Sequence, residues 1–207
     1  MGFANQLVRR LPVWAVYLLG ALPAPWMFYL GLTGGLGVEP VKVLEHEYGK
    51  LALQLLILTL AISPLRRLLG LNLLKFRRAV GLLCFFYVLC HLLVWLVLDV
   101  QILGQILTDI AKRPYITIGM GAFVLMLPLA LTSSDLAVRK LGRAWSRLHR
   151  LTYAAAVLGA AHYVMVSKGF QIEPLIYLGL VLFLLALRMA GSRWLRQAAG
   201  VAVSGRT

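Results

Sequence analysis

Charge is what this chain has least of: 14% of its 207 residues are charged and 61% hydrophobic, against about 25% and about 45–50% in soluble globular proteins. That balance argues against a water-soluble domain. Acidic residues are scarcest, seven against 21 Lys and Arg, for a net charge of +14. The positive residues are divided among loops between apolar segments instead of forming one patch, so they read as topology signals and not as a nucleic-acid surface. Only two cysteines occur, Cys84 and Cys90, six apart inside one apolar stretch. They match neither a zinc spacing nor a loop-closing disulfide and read as buried thiols. No repeat or low-complexity segment is visible. The Gly31, Gly34, Gly35, Gly37 cluster follows a membrane span and opens no βαβ unit, so it reads as a turn and not a dinucleotide loop.

What is present is a series of apolar runs close to the ~18–20 residues that cross a bilayer as helix. They predict an all-α, polytopic membrane protein, a single domain over 1–207, with six transmembrane helices at about 12–32, 50–69, 79–98, 115–132, 150–167 and 174–191. Six crossings leave short loops and no room for a reductase domain of typical size. Arg9 and Arg10 before the first run mimic a signal peptide, but the run is long and more spans follow, so an uncleaved first helix is expected. Pro23, Pro25 and Pro128 predict kinks in helices one and four.

With the N-terminus inside, sixteen of the 21 basic residues fall in cytoplasmic segments, among them Arg66, Arg67, Lys75, Arg77, Arg78, Arg139, Lys140, Arg143, Arg147, Arg188, Arg193, Arg196 and Arg206. Outside remain Lys42, Lys50, Lys112, Arg113 and Lys168. The positive-inside bias then holds at every loop and places both termini in the cytoplasm. All the acids but Asp135 fall outside.

Four histidines carry the functional signal. His91 in helix three and His162 in helix five lie about 12 residues beyond the inner ends of helices that run the same way, so they share one depth. Two imidazoles at one depth can face each other and bind both axial positions of a haem iron. The alternative is a pair of neutral, hydrogen-bonded histidines; the cost of burying two inside a membrane favours ligation. His149 lies 13 residues before His162, a rise of roughly 20 Å but a rotation of about 140°. It reads either as a ligand of a second, stacked centre or as a solvated interfacial residue among Arg143, Arg147 and Arg150. His46, between Glu45 and Glu47, reads as an ordinary histidine of the outer loop, although those carboxylates could join it on a metal. Met120, Met126, Met165 and Met189 read as packing residues.

These histidines occur with the segments LTLAISPLRRL, HLLVWLVLD, KRPYITIGM, LGRAWSRLHRLTY and AAHYVMVSKG. Together they resemble the ferric reductase-like transmembrane family and, within it, the bacterial MsrQ (YedZ) haem subunits. The resemblance covers nearly the whole chain. It implies a haem b protein of the bacterial inner membrane, passing electrons from the quinone pool or a cytoplasmic flavin donor to a periplasmic molybdopterin methionine sulfoxide reductase (MsrP-like) that repairs oxidised proteins. It makes the chain the electron-transfer subunit, not the catalytic one. His91 and His162 would hold one haem and His149 would serve a second. Where two-haem relatives carry an inner histidine in helix three, this chain has Arg77, so one haem is the expected count. FMN is the other implied cofactor, its phosphate within reach of Arg77 and Arg78 because guanidinium pairs well with phosphate oxygens. Membrane lipid headgroups are the competing partners of those arginines. Two rival readings are a transmembrane ferric or cupric metalloreductase and a histidine-dependent proton-coupled transporter.

Overall fold

The computed structural model describes the backbone of residues 3–167 and 171–204, and side chains except those of residues 3, 4 and 191–204. Lys168, Arg193, Arg196 and Arg206 of the charge count lie outside the described side chains. All regular structure among the described residues is helical. Five stretches are long and apolar enough to cross a membrane: Val13–Leu32, Pro40–Leu68, Leu74–Val100, Pro114–Leu131 and Ile172–Ala190. The fifth expected span is helix Leu151–Val166, of 16 residues, which is shorter than the ~20 residues a full crossing takes.

An amphipathic helix α1 (Phe3–Arg10) precedes the first span. It is tied down by Asn5, which donates to the Gly70 carbonyl and accepts from Asn72 N–H, and by Lys75 Nζ, which donates to the Arg9 and Leu11 carbonyls. The first span is two short helices, α2 (Val13–Ala21) and α3 (Pro23–Leu32), broken where Pro23 restarts the chain at a position that needs no N–H. It is held to the bundle by two phenols: Tyr48 donates to the Ala24 carbonyl at 2.6 Å and Tyr87 to the Gly20 carbonyl at 2.8 Å. Trp14, Leu18, Leu19 and Trp26 are left exposed, as a lipid-facing helix requires. The glycine cluster is a turn, with Gly34 and Gly37 at positive φ.

Helix α4 (Pro40–Leu68) begins ten residues before its expected start. Pro40 initiates it without a wasted donor, and its early turns are amphipathic: Leu44 and Tyr48 are buried against Ala24, Tyr87 and Val94, while Lys42, Glu45, His46 and Glu47 share the same turns. His46 is therefore helical, a correction to its reading as a loop residue. Helix α5 (Arg77–Leu93) follows a short 3₁₀ turn (Leu74–Phe76) and runs into a π-helical segment, Val94–Val100. Helix α6 (Leu103–Lys112) is amphipathic and leaves Leu103 and Leu107 exposed. Helix α7 (Pro114–Leu131) contains Pro128 in its last turn. Two short helices, α8 (Asp135–Leu141), capped by Ser134, and α9 (Arg143–Leu148), lead into α10 (Leu151–Val166) and α11 (Ile172–Ser204).

The strongest packing is within two antiparallel hairpins, α4 with α5 and α7 with α10, and α11 closes against α10 and α4. Small residues allow this: Ala155, Ala156 and Ala160 of α10 are fully or almost fully buried against Leu53, Leu56, Leu60, Met126 and Val181. Such close approach drives helix association where the solvent is as apolar as the side chains. Cys84 is buried, its thiol directed to the Ala52 carbonyl, and both cysteines are free.

Arg78 Nη2, in the first turn of α5, meets Asp135 Oδ1, in the first turn of α8, at 2.6 Å, with both partners exposed. The guanidinium holds the Asp135 carboxyl below the usual carboxylate range. This pairing acts fully above the unfolded value, about pH 4, and is lost as pH falls through the lowered one. Solvent screening keeps it weak, so Asp135→Asn is expected to leave the thermal midpoint in detergent unchanged at pH 7. A clear fall in that midpoint contradicts the assignment.

Candidate cofactor site between facing histidines

A cavity of about 590 Å³ lies between the two hairpins, within the size range of small-molecule and cofactor sites, about 300–1,000 Å³. Leu53, Leu56, Cys84, Met126 and Ala155 line its inner end, Phe123 and Gly159 its walls, and Lys42, Lys50, Asp99, Arg113 and Tyr115 its mouth. The π-helical segment after His91 supplies Trp95 and Asp99 to this lining, and Asp99 meets Lys42 at 2.8 Å. Lys50 pairs with Glu173 at 2.5 Å, and Arg113 with the buried Asp109 at 3.0 Å. The mouth is thus charged while the interior is apolar.

His91 and His162 come from different hairpins and meet across this cavity, with ring centroids 6.1 Å apart and planes at 78°. The two residues read at one depth in the sequence thus lie beside each other in the bundle, their rings nearly perpendicular. His91 Nδ1 lies 2.8 Å from the Glu45 carbonyl and His162 Nδ1 lies 2.7 Å from the Tyr115 carbonyl. A carbonyl only accepts, so in both rings Nδ1 carries the proton and donates. An unpaired buried donor costs about 1–3 kcal/mol, which is enough to hold the tautomer. Each Nε2 therefore keeps its lone pair, the arrangement found in metal-binding histidines whose other nitrogen is hydrogen-bonded to a backbone carbonyl. A metal–imidazole bond is about 2.0–2.1 Å, and two such bonds plus the ring half-widths come to about 6 Å. The observed separation fits one metal ion between the rings.

His149 is elsewhere, outside the cavity lining. Its ring stacks on Trp145 at 3.9 Å, and its Nε2 lies 3.1 Å from Thr132 Oγ1. Thr132 already donates to the Pro128 carbonyl at 2.6 Å, so His149 is the donor and its Nε2 is committed. Burial among these groups holds its pKa below the ordinary imidazole value. His46 lines the cavity mouth and packs beside Tyr163. Among the described residues, no three His, Cys, Asp or Glu gather in a metal-binding group. Glu45, His46 and Glu47 therefore form no cluster for an external ferric or cupric ion.

Arg77 and Arg78 diverge. Arg78 turns to Asp135, whereas Arg77 turns inward to Ser63 Oγ, which also accepts from Arg188 Nη2 at 3.1 Å. Arg188 also donates to Tyr153 OH at 3.2 Å. The Nε atoms of Arg77 and Arg188 are buried without a hydrogen-bond partner among the described residues. Ser63, Tyr153 and the role of Arg188 were not singled out in the sequence, because only the packing of α11 on α4 and α10 brings them together. Gly49 and Gly119, which lie against the two histidine rings, also went unnoticed. Their one signal is spacing: Gly49 precedes His91 by 42 residues and Gly119 precedes His162 by 43.

Paired imidazoles at a cofactor-sized cavity, in an apolar helical bundle with a charged mouth, mark a multi-pass membrane protein with a candidate cofactor site between its hairpins. The ferric reductase like transmembrane component family matches residues 48–160. A Brucella anthropi protein is 49% identical over 178 residues, covering 86% of this chain and 81% of its own. One from Rhizobium meliloti is 51% identical over 185 residues, covering 89% and 86%. Both are named protein-methionine-sulfoxide reductase heme-binding subunit MsrQ. No solved structure matches. The chain belongs to the MsrQ family, within the ferric reductase-like transmembrane proteins.

Proposed function

We propose that the chain is the haem-binding, electron-transferring membrane subunit of a protein-methionine-sulfoxide reductase system. The observation that carries this reading is the pair of imidazoles, His91 and His162, with ring centroids 6.1 Å apart at a cofactor-sized cavity and each Nδ1 committed to a backbone carbonyl, which leaves both Nε2 lone pairs for a metal. The names of the relatives support it. Haem b in that cavity supplies a one-electron carrier whose potential is tuned by its axial ligands and surroundings.

The chain's own residues hold, orient and insulate. His91 and His162 bind through Nε2, their rings set by the Glu45 and Tyr115 carbonyls. Phe123, Leu53, Leu56 and Met126 exclude water. Lys42, Lys50 and Arg113 at the mouth, each paired here with an acidic side chain, are the cations that would hold the carboxylates of a bound haem. At the start of α5, away from the His91 end, Arg77, with Arg78 next to it in sequence, is the contact for the phosphate of FMN, and the Nε donors of Arg77 and Arg188, without a partner among the described residues, suit an anion. Electrons enter there from a quinone or flavin donor. They leave at the charged mouth toward a periplasmic molybdopterin reductase of the MsrP type. Each sulfoxide takes up two electrons and two protons and releases water, so the relay turns over twice per repair. The chain sits in the bacterial inner membrane, with α10 as the fifth of six crossings and both termini in the cytoplasm.

The test is a dithionite-reduced minus oxidised spectrum of the detergent-purified protein, calibrated by haem extraction. One b-type haem per chain, retained in His149→Ala, is expected. A featureless spectrum after haem-replete expression rejects the reading. Loss of the whole haem in His149→Ala rejects the pairing of His91 with His162.

A further inference from the structure

The two hairpins build their halves of the cavity with one device used twice. Gly49 stands one helical turn after Glu45, and Gly119 one turn after Tyr115. In each case the glycine is four residues beyond the carbonyl that accepts a histidine Nδ1–H. A helix carbonyl has two lone pairs, and its own helix uses one for the N–H four residues on. The second is open only to a donor lying against the helix beside that fourth residue, where a side chain would ordinarily stand.

A Cβ on Gly119 would sit 2.8 Å from His162 Nδ1 and 2.9 Å from its Cε1. On Gly49 it would sit 3.1 Å from His91 Nδ1 and 3.3 Å from Cε1. We propose that Gly49 and Gly119 are positioning residues: by lacking a Cβ they let each imidazole lie against the neighbouring helix, donate Nδ1–H to an already bonded carbonyl and present Nε2 to the cavity. The inference rests on the reading of His91 and His162 as iron ligands. Both helix pairs are antiparallel, and each pairs a glycine on its first helix with a histidine on its second. The same glycine, carbonyl and histidine pairing thus occurs once in each hairpin, where the sequence shows no repeat. Donation from Nδ1 fixes the ring and raises the basicity of Nε2, so the device acts on the potential as well as on retention.

The experiment compares Gly119→Ala, Gly49→Ala and the control Gly121→Ala, whose Cβ would make an ordinary contact at 3.7 Å from Leu158. Alanine favours a helix over glycine, so helix propensity works against any loss. Expected is an ordered series. Gly119→Ala loses haem by about ten- to a hundredfold in affinity, and the midpoint potential of what remains moves positive. Gly49→Ala moves both quantities the same way by less, and Gly121→Ala moves neither. Unchanged haem and potential in both Gly119→Ala and Gly49→Ala overturn the proposal.

A second readout is independent of haem. In ¹⁵N-histidine spectra of the haem-free chain, two rings should show the Nδ1–H tautomer, and Gly119→Ala should lose one. Absence of that tautomer from the unmutated chain also overturns the proposal. Its presence in a chain that never takes up haem overturns the ligand reading alone.

Discussion

His91→Ala and His162→Ala, each purified in detergent, are expected to lose most of the haem while the chain still inserts. Haem per polypeptide should fall by more than the roughly 10–100-fold that removing a ligand's supporting hydrogen bond costs, because here the iron–nitrogen bond itself goes. The two variants should behave alike, since the two rings are placed by the same kind of carbonyl contact, 2.8 Å for one and 2.7 Å for the other. His46→Ala is the matched control: it removes an imidazole from the cavity mouth without touching the facing pair. A normal haem spectrum in both His91→Ala and His162→Ala, with far-ultraviolet helicity intact, sinks the ligand assignment. Loss of haem in His46→Ala as well would point to general disturbance of the cavity.

Gly159→Phe is expected to empty the site without altering either histidine. Gly159 lies on α10 one turn before His162 and lines the cavity, and a Cβ built there meets nothing within 4 Å. The substitution therefore directs a benzyl group into open space instead of into packed neighbours. Overpacking a filled core would cost about 1–3 kcal/mol, but here the cost should fall on the ligand. A haem content at least tenfold below the unmutated protein, with an unchanged thermal midpoint of the haem-free form, is the expected result. Full haem occupancy would show that the cofactor does not use the space beside Gly159. A large fall in the midpoint would show that the cavity is smaller than its walls suggest.

Much of the architecture was legible because membrane helices are written in composition. Apolar length marks a crossing wherever it occurs, since the backbone inside a bilayer must satisfy its own hydrogen bonds. Five of the six expected spans recur as apolar helices of sufficient length. Boundaries were less legible where polar residues extend a helix beyond the apolar run, as at α4, whose first turns carry Lys42, Glu45, His46 and Glu47. The short helices α1, α6, α8 and α9 were not expected, because a hydropathy pattern tuned to crossings passes over amphipathic turns at a surface. Arg77 and Arg78 looked equivalent as adjacent arginines, yet successive residues on a helix point about 100° apart. One turns to Ser63 and the other to Asp135.

The sequence alone determined that this chain is a helical membrane protein, and that His91 and His162 share a depth, because rise along a helix is a count of residues. It could not determine which way a ring faces or which neighbour it meets. Rotation, helix pairing and the close approach at Gly49 and Gly119 decided that His91 and His162 confront each other while His149 stacks on Trp145. The placement of His91 and His162 depends on contacts between residues more than 40 positions apart, and only the packed bundle brings such residues within bonding distance.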